Sequence, residues 1–290
     1  MIFYKYHGLG NDYIVMDPHQ VDREPTPEQI RRICHRNYGI GSDGILWGPL
    51  EGGDGNAFGV KIFNPDGSEA EKSGNGLRIF ARFLMDTGRV SADPFTINTL
   101  GGEVTAQVTG GGSGVSVEMG WVSFDSREIP VDGPAREVLN ERLDIGGTEL
   151  VYCAATIGNP HCVILEEALD VQKVKTLGPE IENHPVFPNR TNVQFAKVID
   201  ENNIHIEIWE RGAGYTLASG SSASATAAVV HRLGLCGRHV SVHMPGGTLD
   251  ITIGEGYAVT MAGPVIRIAT GELAPEMLTT RLIGHRENRI

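Results

Sequence analysis

The chain is poor in cysteine, in basic residues and in long apolar runs, and each shortage argues against a class of function. Its four cysteines, Cys34, Cys153, Cys162 and Cys236, form no CxxC pair and show no cysteine–histidine spacing of the zinc type. Cys153 and Cys162 stand in apolar, strand-like stretches, where a thiol acts as a small buried hydrophobe. No metal site is expected, and no disulfide in a reducing compartment. Lysine and arginine number 24 against 36 aspartates and glutamates, a formal net charge of −12. That balance argues against a nucleic-acid or anionic-membrane partner. No apolar run reaches transmembrane length. The opening MIFYKYHGLGND lacks the basic-then-apolar order of a signal peptide, so a cytoplasmic protein is expected.

Glycine is plentiful, 38 residues in 290, and it is spread through motifs that occur twice in the same order. Gly10-Asn11-Asp12 is echoed by Gly158-Asn159-Pro160. Ser73-Gly74-Asn75-Gly76, entering a helical run, is echoed by Ser219-Gly220-Ser221-Ser222. Gly101-Gly102 is echoed by Gly246-Gly247. The offsets are 148, 146 and 145 residues, so the chain reads as a duplicated unit. Each copy reads as strands, one main helix, then more strands. Val115–Met119 and Leu249–Ile253 alternate as half-buried strands do, and Gly110-Gly111-Gly112 marks a turn. The helix after Ser73 carries Leu77, Phe80, Ala81 and Leu84 on one face, with Arg78, Arg82 and Asp86 elsewhere. The helix after Ser219 is apolar on most sides and is expected inside a curved sheet. The expected class is α/β (α+β): two pseudo-symmetric domains, each a curved sheet around a central helix. One comprises 1–120 with 266–290, the other 121–265.

Ser73 and Ser219 each precede a helix start, where free N–H groups and the positive dipole end gather. Such a point suits a carboxylate. A serine there is also an ordinary N-cap worth about 1 kcal/mol; its recurrence in both copies is what favours function. The loops around them hold Asn11, Asn64, Asn75, Asn159, Asn192, Glu210 and Arg211, the donors and acceptors that fix an amino acid. His161 is a further candidate base. Gly39-Ile40-Gly41-Ser42-Asp43-Gly44 satisfies G-x-G-x-x-G but follows a helix-like segment, so the dinucleotide context fails.

His7-Gly8-Leu9-Gly10-Asn11-Asp12, Asn64-Pro65-Asp66-Gly67-Ser68-Glu69, Gly158-Asn159-Pro160-His161 and Glu210-Arg211-Gly212-Ala213-Gly214 resemble the signatures of diaminopimelate epimerases, in order, over residues 1 to 267. The resemblance implies that family's fold and an isomerase active without pyridoxal phosphate or metal. It also implies a small amino-acid substrate, a place in lysine biosynthesis and a homodimer. It implies Asn11, Asn64, Asn159, Asn192, Glu210 and Arg211 as substrate contacts, and Gly74, Asn75, Gly220 and Ser221 as donors to the α-carboxylate. In that family a cysteine thiolate removes the α-proton on one face and a thiol delivers one on the other.

Both cysteine positions are serine here, Ser73 and Ser219, and Lys72 and Tyr215 also depart from the pattern. A thiol near a pKa of about 8.5 is brought to thiolate by a helix N-terminus. A serine hydroxyl needs an adjacent base. Several readings therefore stand open: a serine site assisted by His161 or Glu210, those residues acting directly, a catalytically silent binder, or a proton-shift isomerase of a small acid. A cysteine-to-serine pair introduced to trap substrate is disfavoured by Lys72 and Tyr215. A phenol at Tyr215, where the family has glutamate, is expected to reshape the distal pocket and change the substrate.

Overall fold

The computed structural model describes residues 1–21, 23–51, 56–112 and 114–279; of the stretch assigned above to 266–290, residues 280–290 lie outside them. The first half runs β1 (Ile2–Gly8), β2 (Asn11–Met16), α1 (Pro27–Cys34), β3 (Ile45–Glu51), β4 (Ala57–Phe63), β5 (Glu69–Ala70), α2 (Gly74–Asp86), β6 (Phe95–Thr99), β7 (Gly102–Thr109) and β8 (Gly114–Trp121). The second runs β9 (Glu141–Ile145), β10 (Thr148–Thr156), β11 (Pro160–Leu165), α3 (Val171–Glu182), β12 (Asn192–Asp200), β13 (Asn203–Glu210), β14 (Gly214–Thr216), α4 (Gly220–Arg232), β15 (His239–Met244), β16 (Gly247–Ile253) and β17 (Ala258–Gly263). β18 (Ile266–Glu272) and the short α5 (Pro275–Thr279) follow.

The duplication extends to every strand pairing. The antiparallel hairpin β1–β2 corresponds to β10–β11, and the parallel pair β2–β3 to β11–β12. β3–β4 corresponds to β12–β13, β4–β5 to β13–β14, and the parallel pair β4–β6 to β13–β15. β6–β7–β8 corresponds to β15–β16–β17. β18 closes on β1 as β9 closes on β10, so the last strand returns to the first copy. One antiparallel seam, β8 with β17, joins the halves.

Alternation sets which face is inside: Val115, Val117 and Met119 of β8 are buried while Glu118 is exposed, and Leu249, Ile251 and Ile253 of β16 follow the same rule. α2 packs on β1, β2, β3, β7 and β8, and α4 on β10 to β13 and β15 to β17, so each half wraps its own helix. α4 is buried from Ser222 through Val230, which its alanine-rich, charge-free sequence permits. α2 differs from the sequence expectation at one residue. Arg78 is fully buried, because its guanidinium turns toward the helix start instead of solvent. The four cysteines are buried free thiols. Among the described residues no helix is long and apolar enough to cross a membrane.

Candidate active site

A cavity of about 880 Å³ lies where the starts of α2 and α4 meet. Ser73 caps α2, its Oγ accepting from Gly76 N at 3.1 Å, and Ser219 caps α4, accepting from Ser222 N at 3.4 Å. The helix starts touch. A Cβ on Gly220 would lie 3.7 Å from the Gly74 Cα and 2.6 Å from the Met261 Sδ, so any side chain there would have to displace the buried Met261 thioether. Two sets of free N–H groups and two positive dipole ends converge there, a seat for a carboxylate.

Around that seat the two copies supply matched amides. Leu9 and Gly10 turn with positive φ and deliver Asn11, whose Oδ1 accepts from Asn75 Nδ2 at 3.1 Å. In the other copy Gly158 turns with positive φ and delivers Asn159, whose Nδ2 donates to Ser221 Oγ at 3.5 Å. Asn64 closes a turn with Ser68, its Nδ2 donating to Ser68 Oγ at 3.0 Å, and also faces the cavity. Arg211 lines it too, with its backbone N–H held by Asn192 Oδ1 at 3.0 Å.

The two serines have unlike partners. Ser73 Oγ lies 3.1 Å from the hydroxyl of Tyr13, a buried phenol whose pKa burial pushes up to about 12. Ser219 Oγ lies 3.4 Å from Ser221 Oγ and faces Glu210. Burial raises the Glu210 carboxyl above the usual carboxylate range; the Ser219 hydroxyl opposes that rise and the charge of Asp43 adds to it.

Of the predicted residues, Ser73, Gly74, Asn75, Asn11, Asn64, Asn159, Glu210, Arg211, Ser219, Gly220 and Ser221 all line this one cavity. Asn192 and His161 stand behind its wall. Asn192 is buried and donates from Nδ2 to the Pro160 carbonyl at 2.8 Å. His161 is fully buried, its Nε2 3.0 Å from Asn159 Oδ1, and burial lowers its pKa to about 3. A neutral ring that far below neutrality donates from Nε2 and orients the Asn159 amide. Sequence reasoning missed Tyr13 and Asp43. Asp43 belongs to the glycine-rich segment dismissed as a dinucleotide motif, which folds back on β2 so that Asn11 Nδ2 donates to Asp43 Oδ2 at 2.8 Å. Tyr215 faces the cavity, but its hydroxyl is tied to Glu207 Oε2 at 2.7 Å.

Comparison with known proteins bears on the family and the fold. The family model described as diaminopimelate epimerase matches residues 3–124 and 153–268. "Diaminopimelate epimerase 2" of Nostoc sp. strain PCC 7120 is 54% identical over 283 residues, covering 98% of this chain and 99% of that protein. The diaminopimelate epimerase of Desulfitobacterium hafniense is 40% identical over 282 residues, covering 95% and 99%. Among solved structures, a probable proline racemase from Agrobacterium radiobacter K84 superposes with a TM-score of 0.68 at 16% identity, covering 97% of this chain and 96% of that one, a likeness of fold.

Proposed function

The chain belongs to the diaminopimelate epimerase family, and from that premise we propose that it moves a proton at the α-carbon of a small amino acid without a cofactor. The simplest such reaction interconverts LL- and meso-diaminopimelate, in lysine biosynthesis. The observation that carries this reading is the meeting of two capped helix starts at Gly74 and Gly220, with Ser73 and Ser219 beside the carboxylate seat.

On the α4 side Glu210 has the base strength that a serine lacks. It takes the α-proton by way of the Ser219 hydroxyl, which gives its own proton to the carboxylate as it receives the one from carbon. On the α2 side the Tyr13 phenol and the Ser73 hydroxyl form a donor pair that returns a proton to the opposite face of the carbon. Converging N–H groups hold the carboxylate while it takes on enediolate charge. Asn11, Asn64, Asn159 and Arg211 fix the rest of the substrate. Asn192 and His161 act through Arg211 and Asn159.

A second reading, a silent ligand-binding relative, draws on the fact that both serines already serve as N-caps. Proton NMR in D₂O with LL- and meso-diaminopimelate separates the two. Loss of the α-proton signal, slowed at least tenfold in Ser219→Ala and Glu210→Gln, is the expected result. Ligand binding with no exchange would leave the binder. In the same proposal the protein is cytoplasmic and a homodimer, paired through β18, an edge strand that leaves Ile266 and Ile268 half exposed.

A further inference from the structure

Among the described residues, two cations sit at the start of α2 with no acid paired to them. Arg78 is fully buried; it donates to the Pro264 carbonyl at 3.0 Å and to Asn75 Oδ1 at 2.7 Å, and its Nε has no partner. Lys72, the residue before Ser73, lines the cavity, and its Nζ donates to the Met119 carbonyl at 3.0 Å. An ammonium has three donors, so two remain for whatever enters. Burial lowers the pKa of both cations, Arg78 to about 10. Among the described residues no carboxylate pairs with either. The acids that share the cavity are engaged elsewhere or turned outward: Asp43 is held by Arg36 at 2.6 Å, Glu210 faces Ser219, and Glu71 is exposed.

Lys72 and the helix start share a wall. The side chain of Met119, whose carbonyl anchors Lys72, reaches within 3.1 Å of where a Cβ on Gly74 would stand. A site that keeps two uncompensated cations beside two converging helix starts is built around a full negative charge that the ligand brings.

We propose that Lys72 is a direct ligand of the substrate's carboxylate at the α2 start, with Arg78 holding Asn75 in place behind it. The inference rests on the amino-acid reading above and deepens it, since backbone N–H groups alone were assigned to that carboxylate. A charged ammonium there gains strength as the carboxylate becomes an enediolate. It thereby lowers the demand on the bases of a site that has serine at both key positions.

Two measurements on the full chain test it. Titration calorimetry with LL-diaminopimelate compares the protein with Lys72→Met, which is expected to bind about 10- to 100-fold more weakly, as loss of a charge-assisted hydrogen bond requires. In parallel, acetylation of Lys72 by acetic anhydride is followed by mass spectrometry on the unaltered protein, alone, with LL-diaminopimelate, and with glutarate as a dicarboxylate lacking ammonium groups. Protection by LL-diaminopimelate together with weakened binding supports the proposal. Unchanged affinity in Lys72→Met, with Lys72 acetylated equally fast in the complex, overturns it and leaves the substrate reading intact. Protection by glutarate without any binding of LL-diaminopimelate keeps Lys72 as a carboxylate ligand and sinks the substrate reading. No protection and no heat with either compound overturns both.

Discussion

Restoring thiols at the two helix starts, Ser73→Cys with Ser219→Cys, should accelerate α-proton exchange more than any other pair of changes in this chain. Ser73 Oγ already receives Gly76 N–H at 3.1 Å and stands 3.1 Å from the Tyr13 hydroxyl, and Ser219 Oγ receives Ser222 N–H at 3.4 Å. Each sulfur would inherit donors that favour its anion, and a helix N-terminus brings a thiol pKa from about 8.5 down to roughly 3.5–7.5. A base matched to the working pH contributes about 10²–10⁴-fold. One cysteine should therefore speed exchange by about 10²-fold or more, and the pair by about 10⁴-fold at the low end of that range. The larger sulfur is accommodated because both side chains face a cavity of about 880 Å³. A weaker cap at each helix should lower stability by about 1 kcal/mol. The assay is proton NMR in D₂O with LL- and meso-diaminopimelate, with the thermal midpoint as a control of folding. A double variant that folds, binds diaminopimelate and exchanges no faster than its parent would refute the claim that the α-carbon lies between positions 73 and 219.

Three further outcomes are expected. Gly220→Ala forces a Cβ to 2.6 Å from Met261 Sδ, an overpacking that should cost about 1–3 kcal/mol and abolish carboxylate binding, read by urea melts and calorimetry; an unperturbed melt with full binding would mean the helix starts do not touch. Because Glu210 has a raised carboxyl pKa and works ionised, the acid limb of exchange should lie above the ordinary value of 4.5 and vanish in Glu210→Gln; a limb at or below 4.5 removes it as the base. His161 binds a proton when unfolded but resists one when folded, with a pKa of about 3 against 6.5, so stability should fall as pH drops from 7 toward 4. His161→Gln should flatten that slope in urea melts at pH 7 and 5, and an unchanged slope would assign it to other groups.

The duplication was readable because its markers are residues under backbone constraint. Gly10 and Gly158 must turn with positive φ, and Gly74 and Gly220 must let two helices meet, so spacing between such residues survives where side chains diverge. Those same constraints carry Asn11, Asn75, Asn159 and Ser221 into one cavity, and the sequence marks them all. Partners that arrive across the fold left no local trace. Tyr13 reads as one more apolar strand residue until β2 is laid against the start of α2 and its hydroxyl meets Ser73. Arg78 follows a helical period that assigns it to an outer face, yet the Pro264 carbonyl, 186 residues on, and the Asn75 side chain give its guanidinium an inward destination. His161 and Asn192 have the chemistry of site residues, and only the fold shows them buried behind the cavity wall, bonded to Asn159 and to the Arg211 backbone.

The seam between β8 and β17 has a consequence for how such a protein can exist at all. Each copy ends its sheet in an unprotected edge, and the ladder from Val115–Gly263 to Trp121–Ala258 makes each edge the cover of the other. Severed from its twin, either half would present a row of bare N–H and C=O groups, with alternate residues apolar, to any chain in solution, and such edges recruit other strands. Cut along this ladder, each copy would carry two bare edges in place of one, β18 with β8 or β9 with β17. β8 and β17 hold matching places in the two copies, so the ladder has the geometry by which two identical units would close on each other.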